Sequence, residues 1–213
     1  MGKPSLNLLA IESAVSGGSL ALFRATEVIA ARAGSESISR AEDLIPNVLS
    51  LLEEAKVSKA DLDRIAVSLG PGSYTGLRIG VATAMGLARG LGISFVGVPL
   101  LNALTPTIPK HVIMAVVPMG KADLCYGPSD HAGSGTVGTV EDLAKELKKA
   151  ETVELRCHTE VCTLLNARFG DHLKVIDIGR NLAEYVGKAA LKLPASERLD
   201  PIYVQNRRFG LST

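Results

Sequence analysis

The sequence has little aromatic surface. Its 213 residues include no tryptophan and only four phenylalanines and four tyrosines. Proteins that bind single-stranded nucleic acid without sequence preference stack the bases on aromatic side chains. With 23 basic and 22 acidic residues, the net charge is +1, so a broad basic footprint is also missing. The composition therefore disfavours direct binding of nucleic acid.

Cysteine and histidine are also sparse. The three cysteines, Cys125, Cys157 and Cys162, form no C-x-x-C pair, and their odd number is typical of a reducing compartment. The run from Cys157 to Cys162 contains His158, but its spacing matches no common zinc pattern. The four histidines, at positions 111, 131, 158 and 172, are dispersed along the chain. We expect no metal site.

Long apolar runs are missing as well. No segment reaches the roughly 18 residues needed to span a bilayer, and the first residues do not follow the plan of a signal peptide. Hydrophobic residues make up 46% and charged residues 21% of the chain, as in ordinary globular proteins. We expect a cytoplasmic protein of one large or two small domains.

The first hundred residues begin with three short apolar runs. The runs at Ser5–Ser13, "SLALFRA" and Glu27–Ala33 are separated by tight turns, which predicts three antiparallel strands. Apolar residues then recur at steps of three and four from Leu44 to Ala55, which predicts an amphipathic helix. Ser39 and Glu42 fit a capping box for that helix, although Pro46 would then lie inside it.

Strands and helices alternate through the rest of the chain, which predicts an α/β layered fold. The segment Thr139–Ala150 has a threonine N-cap, acidic residues in its first turn and lysines in its last, as a helix requires. A change in composition near residues 98–110 divides the chain into a first lobe (1–103) and a smaller second lobe (104–213). The tail, 198–213, is expected to pack back on the first lobe.

A glycine-rich turn stands between a predicted strand and a predicted helix in "SLGPGSYTGLRIG", Ser68–Gly80. Free amide groups at such a helix start can bind an anion. The turn lacks the lysine of a P-loop, however, and its glycines do not follow the G-x-G-x-x-G spacing. A tight turn is favoured, with Pro71 fixing φ and Gly72 in a conformation that other residues avoid. The phosphate site remains an alternative.

The predicted helix from Thr75 to Leu91 has a small residue at every fourth position: Gly76, Gly80, Ala84 and Ala88. Residues four apart lie on one face of a helix, so this face is nearly bare backbone. Each glycine costs the helix roughly 0.8–1 kcal/mol, a cost that very close packing can offset. The partner is either the protein's own sheet or a helix of another chain.

Several of these segments resemble one known family. The stretches "LLAIESAVSGGSLALF", "RAEDLIPNVLSLLEEA" and "IAVSLGPGSYTGLRIGVATAMGLARGLGISFVGVPLLNAL" are similar to the TsaB family, also called YeaZ. The block GPGSYTGLRIG is the most specific part, and the ending "DPIYVQNRRF" is similar to the family's terminal segment. The resemblance is strong over residues 6–106 and weak from there to about residue 195.

The resemblance implies the α/β fold of actin, sugar kinases and Hsp70, which is ribonuclease H-like, with two lobes and a mixed five-stranded sheet in each. It also implies a role in making threonylcarbamoyladenosine beside the tRNA anticodon. In that family the homologous partner TsaD performs the chemistry, and TsaB is a non-catalytic subunit. The implied partner interface lies on two first-lobe helices, at Leu44, Val48, Leu51, Leu52, Gly76, Ile79, Gly80, Thr83, Ala84 and Leu87.

The resemblance also implies a set of partners. They are a TsaD-like catalytic subunit, a TsaE-like ATPase and a second copy of this chain, with tRNA bound only indirectly. No intrinsic cofactor is implied, although ATP or ADP with magnesium could bind at the partner interface. The residues of a vestigial nucleotide site would be Glu12, Ser13, Gly70, Gly72 and Ser73. Glu12 stands where the family usually has aspartate, and we expect it to be a solvated carboxylate at a strand end.

The second lobe departs from the family pattern. The segment "VVPMGKADLCYG" stands near the position where nucleotide-binding relatives have a D-x-G-G-G loop, and the lobe is shorter than in the family. A divergent paralogue therefore remains an alternative. Two other functions stay open: a small-molecule kinase or ATPase of the same fold, and an inactive peptidase-like homologue.

Overall fold

The structure is a computed structural model that describes residues 5–33, 41–105, 112–120, 122–128, 135–148, 153–170 and 172–204. The chain divides into two compact units, each with its own five-stranded sheet. The first unit comprises the described residues up to Leu69, Tyr74–Val98 and Asn181–Pro201. The second comprises Gly70–Ser73, the described part of Pro99–Arg180 and Ile202–Val204.

The sheet of the first unit has the strand order β3-β2-β1-β4-β5. Its strands are β1 (Asn7–Glu12), β2 (Ser19–Arg24), β3 (Glu27–Ala33), β4 (Arg64–Ser68) and β5 (Ser94–Val98). The pairs β1–β2 and β2–β3 are antiparallel, which confirms the predicted start, and β4 is parallel to both β1 and β5. The helices of this unit are α1 (Ala41–Glu54), α2 (Tyr74–Leu91) and α6 (Leu182–Ala190), with a 3-10 helix at Lys59–Asp61.

Helices cover both faces of this sheet. Leu9 and Ile11 of β1 share a core with Leu44 of α1 and Val81 of α2. Alternate residues of a strand point to opposite faces, so Phe23 of β2 lies on the other side from Leu22. There α6 packs so closely that a Cβ atom on Gly187 would collide with the Phe23 ring. Burial on both faces explains why β1 and β2 are continuous apolar runs.

The sheet of the second unit has the strand order β10-β9-β6-β7-β8. Its strands are β6 (Val112–Met119), β7 (Asp123–Pro128), β8 (Thr136–Gly138), β9 (Val153–Cys157) and β10 (Lys174–Asp177). Its helices are α3 (Leu100–Leu104), α4 (Val140–Leu147) and α5 (Thr159–Phe169). The pairing is antiparallel on the β7 side of β6 and parallel on the β9 side. Two mixed five-stranded sheets confirm the expected architecture.

The division of the chain differs from the predicted boundary. Residue 103 lies inside α3, and the first unit regains α6 from the far end of the sequence. Two hydrogen bonds attach α6 to β2: the Ala183 N–H donates to the Ser19 hydroxyl at 2.9 Å, and Asn181 Nδ2 donates to the Leu20 carbonyl at 3.2 Å. The sequence pattern of α6 does not show that this helix packs against the sheet of the first unit.

The segment after α6 continues along the first sheet. The Ser196 N–H donates to the Phe95 carbonyl on β5, and the Gly97 N–H donates to the Ser196 hydroxyl. Leu199 is buried in the first core. Of the predicted tail, Leu199 lies in the first unit and Ile202–Val204 lie in the second. Residues 205–213 lie outside the described residues, as does the capping residue Ser39.

The cap of α4 gives a test of the local structure. The Thr139 hydroxyl accepts the Asp142 N–H, and the Asp142 carboxylate accepts the Thr139 N–H, so the predicted cap is a complete capping box. Replacing Thr139 with alanine removes the acceptor, and we expect unfolding free energy to fall by about 1 kcal/mol. Urea denaturation measures it. The exposed Thr163 of α5 provides the control, Thr163→Ala, and equal losses in both variants would contradict the role of the cap.

Candidate functional site

The carboxyl end of β1 carries a buried acid. Glu12 is the last residue of β1 and is completely buried, so the expectation of a solvated carboxylate is wrong. Its Oε1 atom accepts the N–H groups of Ala14 and Val15, at 2.7 and 3.1 Å. Its Oε2 atom is also buried and has no hydrogen-bond partner among the described residues. The strand runs on into a tight turn, and this turn encloses the side chain.

Burial controls the charge of this acid. Desolvation raises the pKa of Glu12 to about 7, and the two backbone N–H groups offset only part of the rise. The carboxyl group is therefore close to half-protonated at neutral pH. Its Oε2 atom could accept a hydroxyl donor or bind a cation. A metal ion would need further ligands, and no group of three His, Cys, Asp or Glu side chains that could hold one occurs in the described part of the chain.

Ser13 connects this turn to α2. Its hydroxyl donates a 2.8 Å hydrogen bond to the Gly76 carbonyl in the first turn of α2. A Cβ atom on Gly76 would collide with the Ser13 carbonyl, and one on Gly80 would collide with the Ser13 hydroxyl. The two glycines therefore allow α2 to lie directly against the backbone after β1. The hydroxyl group of Ser13 already has this structural partner.

The glycine-rich turn belongs to the second unit. Its left-handed glycine is Gly70, with φ +97°, and Gly72 is not among the residues with positive φ, so the expectation for Gly72 is wrong. The Gly70 carbonyl accepts the Leu100 N–H at 2.8 Å, which ties the turn to α3. Ser73 is exposed. Glu12 and Ser13 thus lie together in the first unit, and Gly70, Gly72 and Ser73 lie together in the second.

Most residues assigned to a partner interface are buried within this chain. Seven of the ten form part of its own core or lie against its own β1 turn: Leu44, Val48, Leu51, Leu52, Gly76, Gly80 and Ala84. These seven cannot reach a partner, and their assignment is corrected. Small residues at every fourth position do mark close packing, but here the packing is internal. Ile79, Thr83 and Leu87 are half-buried and remain accessible in part.

Other residues of the same helices are uncovered. Ile45 and Leu49 of α1 are 37% and 41% exposed, and they lie four residues apart on one side of the helix. On α2, Ala82 and Gly86 are exposed, and nothing lies within 4 Å of a Cβ atom placed on Gly86. Helices α1 and α2 also contact each other. We name the following set the helix-pair surface: Ile45, Leu49, Ile79, Ala82, Thr83, Gly86 and Leu87.

Sequence reasoning missed Ile45 and Leu49 as surface residues because both fit the apolar period of α1. The width of the apolar stripe on α1 could have indicated that some of its apolar residues lie on the surface. Six apolar positions between Leu44 and Leu52 are more than one face of a helix packed on a sheet can bury. The excess marks a second apolar face.

The second unit offers little reactive chemistry in its described part. Burial raises the pKa of the Cys125 and Cys157 thiols to about 12, and it also raises the pKa of Cys162. Thiols of this kind are protonated and poorly nucleophilic. His158 is buried at the start of α5, where its Nδ1 accepts the Glu160 N–H, and burial lowers its pKa. His111 and His131 lie outside the described residues.

No helix in the described part of the chain has the length and apolar character that crossing a membrane requires.

Solved structures share this architecture. YeaZ from Pseudomonas aeruginosa superposes with a TM-score of 0.61 at 22% identity, covering 87% of this chain and 91% of that one. The activator of 2-hydroxyisocaproyl-CoA dehydratase from Clostridium difficile, solved with bound ADPNP, gives 0.53 at 8% identity, covering 88% and 95%. Such identities show the fold alone. The fold is that of the actin, sugar kinase and Hsp70 class, as expected.

A family model described as TsaD, tRNA N6-adenosine threonylcarbamoyltransferase, matches residues 36–154. Because this match covers more than half of the 213 residues, the chain belongs to that family, and a TsaB protein is among its relatives.

Two curated relatives match a segment of 99 residues. An uncharacterized protein of Mycobacterium tuberculosis is 38% identical over 99 residues, which are 46% of this chain and 47% of that protein. The tRNA threonylcarbamoyladenosine biosynthesis protein TsaB of Bacillus subtilis is 37% identical over 99 residues, or 46% and 43%. The aligned segment spans about half the length of these relatives.

Two glycines of α2 give a matched test of the internal packing. Gly76→Ala should destabilise the fold by about 1–3 kcal/mol, because the new methyl group meets the Ser13 backbone. Gly86→Ala adds the same methyl group in open space on the same helix, and it should stabilise the fold by roughly 0.5–1 kcal/mol. Urea denaturation measures both. Changes of equal sign in the two variants would contradict the packing.

The raised pKa of Glu12 predicts that the free energy of unfolding depends on pH. The pKa is raised on folding, so this group favours the folded state fully below pH 4.5 and loses that contribution as pH rises to about 7. The full loss is roughly 3 kcal/mol. The Glu12→Gln variant should lack this loss, so its stability relative to wild type should increase between pH 5 and pH 8. Denaturation at both pH values measures the difference. The exposed Glu27 provides the control Glu27→Gln, and a Glu12→Gln variant that keeps the wild-type pH dependence would contradict the assignment.

Proposed function

We propose that this protein is a non-catalytic accessory subunit in the biosynthesis of threonylcarbamoyladenosine in tRNA. In this proposal it docks on a TsaD-like catalytic subunit, or on a second copy of itself, through the helix-pair surface. The names of the matched family and of the Bacillus subtilis relative support the pathway. The observation that supports docking is the exposure of the apolar residues Ile45 and Leu49 on α1.

The energetics set the size of the contact. Full burial of a leucine or isoleucine side chain contributes about 1.5–3 kcal/mol, so Ile45 and Leu49, each about 40% exposed, contribute only about 1 kcal/mol each. A stable interface buries more than about 1,000 Å² in total. The contact therefore has to extend along α2, whose 18 residues span about 27 Å.

The shape of α2 suits such a contact. Its exposed middle carries Ala82 and Gly86, where a partner helix could approach closely, and the exposed Arg89 follows toward the helix end. The first turn of the helix is different, because Arg78 stacks over the exposed Tyr74 ring at 4.4 Å from its centroid. We expect partner helices to pack along the smooth middle of α2, with the Tyr74–Arg78 pair at the rim.

The available side chains support an accessory role rather than an enzymatic one. The Ser13 hydroxyl is bonded to Gly76, and the thiols are buried and protonated. A small-molecule kinase or ATPase is the alternative, favoured only by the unpaired oxygen of Glu12 near the end of β1. Calorimetry with ATP and magnesium distinguishes the two, because the isolated chain should show no tight binding as an accessory subunit.

Leu49→Glu tests the docking. A charge in place of an interfacial leucine should weaken association with the TsaD-like subunit at least about tenfold, which analytical ultracentrifugation or calorimetry of the purified pair measures. Leu164 on α5 is 54% exposed and lies in the second unit, so Leu164→Glu is the matched control. Both variants should melt like the wild type. Unchanged affinity of Leu49→Glu, or an equal loss in Leu164→Glu, would contradict the proposed surface.

A further inference from the structure

A small apolar cleft lies in the second unit, beside the ends of α4 and α5. Its volume is about 260 Å³. The floor is formed by the apolar side chains of Ala144, Leu147, Phe169 and Leu173. The first three belong to the buried core of this unit, and Leu173 packs against it. The floor is therefore held by the fold itself, as in a preformed ligand site.

The rim of this cleft is cationic. Lys148, Arg168 and His172 line it, and no acidic residue is among its described lining. None of the three has an ion pair with a described residue, and Arg168 lies only loosely over the Phe169 ring, at 5.5 Å. By contrast, Lys145 on the same helix as the cleft's Ala144 pairs with Asp142 at 3.2 Å. Among the described lysines and arginines of the second unit, Lys148 and Arg168 are the two without an ion pair to a described residue.

Helix ends explain part of this charge. Helices α4 and α5 both end near the cleft, and cations near a helix C-terminus are favourable. Each end supplies roughly half a negative charge, about one in total. Lys148 and Arg168 together supply two positive charges. The cleft keeps a net positive rim around an apolar floor.

We propose that this cleft binds a small amphiphilic anion, a carboxylate whose apolar tail lies on the Leu147–Phe169 floor. The carboxylate would lie between Lys148 and Arg168. The volume is slightly below the roughly 300–1,000 Å³ of pockets for drug-sized ligands, so the tail is short. The site is independent of the helix-pair surface, which belongs to the other unit.

Three probes with the same apolar tail distinguish the effect of the head-group charge on binding from the effect of the tail. They are hexanoate, hexan-1-ol and hexylammonium. Titration of the full chain, followed by NMR chemical shifts of the Ala144 and Leu147 methyl groups, gives the three dissociation constants. We expect hexanoate to bind at least about fivefold more tightly than the alcohol, with hexylammonium weakest. Equal binding of hexanoate and the alcohol, or the tightest binding by hexylammonium, would overturn the proposal.

Variants locate the site. Arg168→Gln and Lys148→Gln should each weaken hexanoate about two- to fivefold while leaving the alcohol unchanged. Ala144→Leu should block both probes by filling the floor. Lys145→Gln is the matched control, since it removes a lysine from α4 that does not line the cleft. If Ala144→Leu fails to fold, Arg168→Gln and Lys148→Gln still test whether hexanoate binds at this cleft. Hexanoate affinity that is the same in wild type, Arg168→Gln and Lys148→Gln overturns the proposal.

Discussion

The close approach of α2 to the backbone after β1 is the constraint on which the first unit depends. This approach is possible because Gly76 and Gly80 have no side chain. The hydrogen bond from the Ser13 hydroxyl to the Gly76 carbonyl stabilises the contact. Glycine weakens a helix, so two glycines on one face need compensation from packing. That packing is internal, where Val81 and Ala84 join Leu9 and Ile11 in the first core. Because the side of α2 that carries Gly76, Gly80 and Ala84 packs inside the chain, only the opposite side of the helix is available to a partner.

The same approach explains the environment of Glu12. The turn that brings Ser13 to α2 also encloses the preceding carboxyl group, leaving one oxygen bonded to two backbone N–H groups and the other without a partner. A buried, unpaired carboxylate is costly, and the raised pKa of Glu12 is the response. The acid at the end of β1 therefore exchanges its proton near neutral pH instead of carrying a fixed charge. Such a group supports the turn at low pH and strains it at high pH.

The sequence predicted the fold well where a pattern is local. The three antiparallel strands, the amphipathic helix and the capping box of Thr139 and Asp142 all follow from spacing and residue type. Prediction failed where distant segments meet. The return of α6 to β2 depends on hydrogen bonds between Ser19 and Ala183, far apart in the chain, and the burial of Glu12 depends on the enclosing turn. For α1, periodicity predicted the helix, but it could not tell which side faces inward, since Leu44 and Ile45 are neighbours with opposite exposure.

The proposed accessory role rests on the outward side of α1 and α2 being a docking surface. Side-chain footprinting by hydroxyl radicals, on the chain alone and with a TsaD-like subunit, tests this most directly. The account predicts that Ile45 and Leu49 become protected on mixing while the equally apolar Leu164 keeps its reactivity. Protection of Leu164 with no change at Ile45 and Leu49, in a mixture shown to form a complex, would contradict it.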